Sequence, residues 1–543
     1  MTIVRNFLKE NGGYLFSLTL IGIFLYIFNL HNPLFWDDAD WIVNNFSVHA
    51  LTWANVQFIF THNVLAGIGQ VSNYYRPFLF LTFMMNWLIS GSNPVSYHIV
   101  SNSIHVANAL LIFYLLVRWL GSKRIAFITA LLFLIQPLQT ETVSYINSRG
   151  DSLAVLLLLL AIISFLHHKR WLSYGLAVLA VLSKETMALF PVYLGIVLMA
   201  FEYRGLFLDR FKKAFVQTLP FVGISAVYGT LRLTVLNFQN TLNFYKQQNL
   251  YSEHLSYRIY TFFDVLVVYL RLALWPTGLH MDRDIPVSIH LWDGLSWLGA
   301  LIMLGCIGVL VILYRRRDTF TFNVWFFGLG IFFVNLLPTS GIVPINARIY
   351  EHWLYFSLFG FFTILVWYID KLWRVIERKR PSLQPMLIIA LVAYCLFFSV
   401  QTIRRNILWG DTEQFYLNIL YYEPQDVRVL NNLGNWYSDN GNNASAGPLY
   451  ERAIQADPTQ PAPYYNLGNI ARDSGQVAQE EAFYQKAISV DPTFYYTYGN
   501  LAQLYLNENK LPQALIELQE LQKIYPTDQT AKNIETLRKM INK

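Results

Sequence analysis

Apolar residues occupy the first 402 positions in blocks of bilayer length, and after that the blocks stop. A spanning helix needs about 20 mostly apolar residues, within a range of about 17–25. Runs at 13–30, 97–119, 124–140, 151–168, 214–233, 292–313, 320–338, 350–370 and 385–402 meet that need. Two shorter runs, 171–183 and 186–203, form a pair around Lys184-Glu185. Residues 77–91 are short and 257–276 carry Arg258, Asp264 and Arg271, so both are read as interfacial. The pattern predicts an all-α chain: about eleven spans in a domain 1–402, then a polar helical domain 403–543. Within the first domain, 31–96 form the first external loop with juxtamembrane helices.

The polar domain is periodic. Pro424, Pro458, Pro492 and Pro526 are spaced by 34 residues, as are Leu433-Gly434, Leu467-Gly468 and Leu501-Ala502. Tyr450, Tyr484 and Leu518 keep the same register. A 34-residue helix–turn–helix period is that of tetratricopeptide repeats: small residues let paired helices approach, large ones fill the gap, and Pro ends the second helix. Three full repeats in 427–528, a half-repeat before them and a capping helix after them predict an α-solenoid with a peptide-sized groove. On the first helix of each repeat, Asn432, Asn466 and Asn500 precede the Leu; one turn on stand Asn435, Asn469 and Gln503. An amide both donates and accepts, so this stripe is predicted to pair with the backbone of an acceptor peptide. Helix packing between repeats is the other use for such asparagines.

Composition excludes other classes. Of 543 residues 55% are hydrophobic and 14% charged, against about 25% charged in soluble globules. The net charge of +6 sits in clusters between apolar runs, the pattern of membrane topology and not of a nucleic-acid binder. Cys306 and Cys395 both lie inside apolar runs, which offers neither a disulfide framework nor a thiolate metal site. With Arg5 and Lys9 inside, the clusters Arg118/Lys123/Arg124, Lys169/Arg170, Arg204–Lys213, Arg315–Arg317 and Lys371–Arg380 all fall on the cytoplasmic side. The repeats then lie outside, and the setting expected is a bacterial inner membrane with the repeats in the periplasm. The run Tyr14–Leu30 has the flank of a signal sequence but no small-residue cleavage site after it, so it reads as an uncleaved first helix.

The external loops collect the chemistry. Phe35-Trp36-Asp37-Asp38-Ala39-Asp40-Trp41 places three carboxylates directly above an apolar helix. A general base beside a second acid suits deprotonation of a hydroxyl, and a solvated loop with an aromatic belt accounts for the same residues. Hard carboxylates also suit Mg or Mn, though neither paired His nor Cys accompanies them, and no cofactor is assigned. The same side carries Arg76, Glu141, Arg149, Asp151, Lys184, Arg348, Glu351 and His352. Cations in such a group would neutralise a lipid-linked phosphate while a carboxylate activates the incoming hydroxyl.

In its order of motifs the chain resembles membrane glycosyltransferases of the GT-C type. It is most similar to the transmembrane-and-repeat proteins that act as protein O-mannosyltransferases, and to their bacterial relatives. Trp36-Asp37-Asp38 matches the acidic motif of the first external loop, which puts Asp37 in the position of the catalytic acid or base. Tyr75-Arg76-Pro77 resembles the segment that approaches the donor phosphate, and Arg149-Gly150-Asp151 and Ser183-Lys184-Glu185 match further landmarks. Gln136-Pro137-Leu138-Gln139-Thr140-Glu141-Thr142-Val143 resembles His-Pro-x-His-Thr-Glu-Ala-Val with Gln in place of both His. Glu351-His352-Trp353-Leu354-Tyr355 resembles Glu-Arg-Val-Leu-Tyr with His in place of Arg, which turns a permanent phosphate contact into a pH-dependent one. The resemblance implies an inverting transfer of a sugar from a polyprenyl-phosphate donor to a protein hydroxyl outside the cytoplasm. Asp37 and Asp38 would be catalytic, Arg76, Arg149, Lys184, Arg348 and His352 would bind the donor phosphate, and Glu141, Asp151 and Glu351 would support them. Two other readings stand: transfer to a glycan or lipid acceptor, and a non-enzymatic membrane-anchored scaffold in envelope biogenesis.

Overall fold

In a computed structural model, the described residues are 2–238, 249–345 and 347–542. About 78% of the chain is helical, and no strand occurs among the described residues. The chain divides into two compact units, Met1–Thr412 and Glu413–Lys543.

The helices of the first unit are α1 Thr2–Tyr26, α2 Trp53–Thr61, α3 Pro77–Ser90, α4 Val95–Leu120, α5 Lys123–Ile135, α6 Gln139–Ser144, α7 Arg149–Leu166 and α8 Arg170–Ser183. They continue as α9 Phe190–Val197, α10 Phe207–Leu233, α11 Leu250–Glu253, α12 Leu255–Leu274, α13 Ser296–Arg315, α14 Thr319–Leu336, α15 Ser357–Lys379 and α16 Gln384–Leu408. The core is built on α4, which packs against α1, α5 and α7 and buries Ala109, Ile112, Phe113, Leu115 and Leu116. Gly121, at φ 64°, closes α4, and Ser122 then caps α5 by accepting from the Ile125 N–H.

Among the described residues, eight segments are long and apolar enough to cross a membrane: 6–29, 95–120, 146–166, 185–202, 207–233, 296–315, 319–339 and 381–408. This is a multi-pass membrane protein. The other three of the eleven expected spans differ in build. Residues 124–140 do not form one helix, because α5 stops at Ile135 ahead of Pro137 and α6 starts afresh at Gln139. The α8 helix has 14 residues, and α15 starts at Ser357, seven residues later than expected, and ends in a charged stretch. Of the two ambiguous runs, α3 is about 21 Å long. The charges of α12 are satisfied within the protein: Asp264 accepts from Ser288, Ser296 and the Leu295 N–H, and Arg258 donates to the carbonyls of Gly341, Tyr251 and Ser252. The last apolar helix runs on to Leu408, so position 402 lies inside it.

The second unit follows the 34-residue register, with α17 Thr412–Tyr422 preceding it. Its helical pairs are α18 Val427–Asp439 with α19 Asn443–Ala456, α20 Pro461–Asp473 with α21 Val477–Val490, and α22 Tyr496–Asn507 with α23 Leu511–Ile524; α24 Asp528–Ile541 caps the array. The small residue of each Leu-Gly motif is there for contact. A Cβ on Gly434 would stand 2.5 Å from Tyr450 Cε1, and one on Gly468 would stand 2.5 Å from Tyr484 Cε1. The third repeat changes both partners together, to Ala502 and Leu518, and buries both.

Candidate active site

The first external loop splits its neighbouring carboxylates in opposite directions. Trp36 takes a positive φ of 60°, unusual for a bulky residue, and the chain then winds into one turn over Ala39–Val43. Asp37 is exposed, while Asp38 is 1% exposed. The Asp38 carboxylate accepts the N–H of Asn147 at 2.6 Å and of Ile146 at 3.3 Å, tying the loop to the turn that precedes α7. Burial pushes its carboxyl well above the usual range, against the pull of those two N–H groups and with a further push from Asp37. Asp38 therefore anchors the loop to the turn before α7, buried beside the exposed Asp37.

Arg76 stands at the start of α3, where Pro77 fixes the first helical residue. Its guanidinium meets Glu185 with two hydrogen bonds, 3.0 and 2.7 Å, and lies over the rings of Tyr74 at 4.8 Å and Trp41 at 5.6 Å. Burial alone would lower Arg76, but the Glu185 carboxylate more than offsets it and holds the cation above its ordinary value. Lys184 pairs with Asp151 next to this. The two motifs are packed tightly, since a Cβ at Gly150 would stand 3.3 Å from the Ser183 carbonyl oxygen and 3.8 Å from Arg76 Nη1. Asp37 belongs to the same group: the Tyr74 phenol, raised by desolvation, is pulled down by Arg76 and pushed up by both Glu185 and Asp37. The structure thus gathers Arg76, Glu185, Lys184 and Asp151 with Trp41 and Tyr74, and Asp37 lies within electrostatic reach of Tyr74.

Arg149 is not part of that surface. It is 0% exposed, and it donates to Ser101, Asn86, Thr82 and the Tyr97 carbonyl while lying over Phe83. All three guanidinium nitrogens are engaged, so it staples α3, α4 and α7 and is not available for the donor phosphate as expected.

A second polar group is built where the 139–144 helix meets the 351–354 turn. His352 Nδ1 lies 2.6 Å from Glu141, whose side chain is fully buried, and the imidazole stacks on Tyr350. Arg405 donates to Glu351 at 2.6 Å and to Thr140 at 3.2 Å, so two adjacent-residue pairs are cross-braced. Burial pushes the Glu351 carboxyl up; Arg405 pulls it back and Glu141 adds to the rise. Nearby, burial lowers His280 to about 3. Arg348 pairs with Asp284 at 2.5 Å and donates to the Ile285 carbonyl, which engages it with the 282–288 loop. Gln136 and Gln139 are also engaged structurally: Gln136 donates to the Ala273 carbonyl and Gln139 to that of Tyr355. Sequence reading missed Arg405, which stood at the expected domain boundary; a buried Arg in the last turn of an apolar helix was the available signal.

No group of three or more His, Cys, Asp or Glu side chains among the described residues converges to hold a metal. Asp38 is engaged by backbone N–H groups, Asp151 by Lys184 and Glu185 by Arg76.

The asparagine stripe is bonded between repeats. Asn466 Nδ2 donates to Asn435 Oδ1 at 2.8 Å and to Asn431 Oδ1 at 2.9 Å, and Asn500 Nδ2 donates to Asn469 Oδ1 at 2.9 Å. Tyr450 and Tyr484 donate to the same Asn435 and Asn469 oxygens at 2.8 and 2.7 Å. Asn432 opens the register, ahead of any full repeat to which it could donate, and Gln503 bonds Asn507 in its own helix.

Comparison with known proteins agrees in both units. The tetratricopeptide-repeat family matches residues 427–456, 449–482 and 483–516. The chain is 26% identical to the Homo sapiens protein O-mannosyl-transferase TMTC1 over 78% of its own length and 52% of the relative's. It is 27% identical to the Caenorhabditis elegans protein O-mannosyl-transferase F38B6.6 over 82% of its own length and 63% of the relative's. The chain thus spans about half to two thirds of the length of these relatives. Among solved structures, the crystal structure of MamA aligns with 26% of this chain and 81% of its own at 20% identity and a TM-score of 0.23.

Proposed function

We propose that this protein is a membrane glycosyltransferase that moves a sugar from a polyprenyl-phosphate-linked donor to hydroxyl groups of protein acceptors, on the face opposite the Arg315–Arg317 loop. The observation that carries the reading is the exposed Asp37 in the same electrostatic group as Arg76. The acceptor hydroxyl gives its proton to an Asp37 carboxylate oxygen while its oxygen bonds to the anomeric carbon. The bond from that carbon to the phosphate oxygen breaks, and the electron pair leaves on the polyprenyl phosphate. One base and in-line displacement give inversion. Arg76 and Lys184 neutralise the leaving phosphate, each turning partly from its carboxylate partner to do so. The O-mannosyl-transferase relatives support a protein acceptor and leave mannose as the sugar to test first.

The repeats are proposed to hold the acceptor with what their internal bonds leave over. Asn435 and Asn469 have their oxygens engaged and keep Nδ2 donors; Asn466 and Asn500 have Nδ2 engaged and keep Oδ1 acceptors. Donors alternating with acceptors suit an extended peptide backbone whatever its sequence.

The test is sugar transfer by the purified full chain to envelope proteins, read by mass spectrometry. Proton abstraction by a placed side chain contributes roughly 10²–10⁴-fold, so Asp37→Asn should lose about that much turnover at normal abundance. Full activity in Asp37→Asn would remove the base assignment, and an envelope glycan profile unchanged by deleting the protein would favour a scaffold.

A further inference from the structure

Helices α5, α15 and α16 leave between them an apolar groove of about 210 Å³. Ile128 lines it from α5, Val366 and Ile369 from α15, and Leu387, Leu391 and Val392 from α16. One end is charged. Asp370, 4% exposed, accepts from Arg124 Nε at 2.8 Å and pairs with Arg374 at 2.8 Å. The Arg124 guanidinium lies 5.1 Å from the centre of the Trp373 ring, and the Trp373 Nε1–H is buried without a hydrogen-bond partner. Two guanidinium groups share one carboxylate here, and both remain partly open to the outside, with side chains 40% and 53% exposed.

This end therefore offers a net positive charge, outward N–H groups and an unpaired indole donor, so what it lacks is an anionic acceptor. We propose that the groove binds an anionic glycerophospholipid, one acyl chain between α5 and α16 and the phosphate against Arg124, Arg374 and Trp373 Nε1. The apolar walls take the chain and the donors take the phosphate oxygens. A choline or ethanolamine headgroup would bring its own cation to the two guanidinium groups, which sets the preference for net negative lipids. The site is separate from the Asp37 group and does not depend on the transferase reading.

The test uses the full chain in nanodiscs with phospholipids brominated on one acyl chain, and reads the emission lost between the protein and its Trp373→Phe variant. Brominated phosphatidylglycerol should quench Trp373 at a several-fold lower mole fraction than brominated phosphatidylcholine. Arg374→Gln, which leaves the Arg124–Asp370 pair in place, should abolish most of that preference. Leu391→Phe should fill the groove and weaken quenching by both lipids. Equal quenching by the two lipids in the unaltered protein would overturn the proposal. Displacement of brominated phosphatidylglycerol by an equimolar polyprenyl phosphate would also overturn it, by assigning the groove to the isoprenoid chain.

Discussion

The two units handle their interior polar groups by opposite means. The first joins ionisable side chains across long stretches of chain: Arg76 with Glu185, Arg405 with Glu351, His352 with Glu141. The second uses neutral amides and phenols at a fixed separation, so that Asn466 meets Asn435 as Asn500 meets Asn469. The first arrangement concentrates large energies in a few contacts that must all form, and the second distributes small ones evenly. A single substitution should therefore cost much more in the first unit.

The largest effect should come from Arg405→Ala. Removing one partner of a buried ion pair costs about 3–5 kcal/mol, and the loss of heat stability should be confined to the membrane unit, read by fluorescence unfolding in detergent. The double change Arg405→Met with Glu351→Leu should recover most of it, and no recovery would mean the pair does more than neutralise itself.

Asp38→Ala comes next, because it leaves two backbone N–H groups unpaired at about 1–3 kcal/mol each. Asp37→Ala, at an exposed position, should cost less stability than Asp38→Ala, so the neighbours separate into a structural and a chemical residue. The raised Asp38 carboxyl makes a further check. The folded unit holds this proton more tightly than the unfolded chain, so the associated stability is complete below the ordinary carboxylate range. It declines as pH rises through the folded value, and Asp38→Asn should flatten that slope.

In the repeats, Gly434→Ala should cost about 1–3 kcal/mol by overpacking against Tyr450. Tyr450→Leu in the same chain should restore it, since the third repeat already carries Ala502 with Leu518. Failure of that rescue in circular dichroism melts would break the comparison. The smallest effect is kinetic. Asn435→Asp with Asn469→Asp keeps an oxygen for Tyr450, Tyr484, Asn466 and Asn500 and exchanges each remaining amide donor for a carboxylate oxygen. It should raise KM for protein acceptors several-fold and leave kcat and donor hydrolysis unchanged.

The same contrast decides what was legible in the sequence. The 34-residue register showed the helices, the Leu-Gly contacts and the asparagine stripe, because each recurs at one spacing. It did not show that the stripe bonds to itself, although Asn435 with Tyr450 and Asn469 with Tyr484 repeat the same separation and could have been read as donor and acceptor. In the membrane unit the motifs were visible but their partners were not. Residue type at Arg149 and Asp38 announced charge, while direction was set by Trp36 and by helices 50 to 110 residues away. Span length misled at Pro137, where an apolar run hides a helix break.

The paired substitution of Gly-Tyr by Ala-Leu also bears on how the array can change length. Each such pair lies within one repeat, and the bonds from Asn466 to Asn435 and from Asn500 to Asn469 each reach back by 31 residues to the repeat before. A block of 34 residues inserted or deleted as a whole would carry its packing pair with it and find the same amide waiting at the junction. Array length is thus open to variation in whole repeats, while any other increment would leave a phenol facing a methyl and an amide facing nothing.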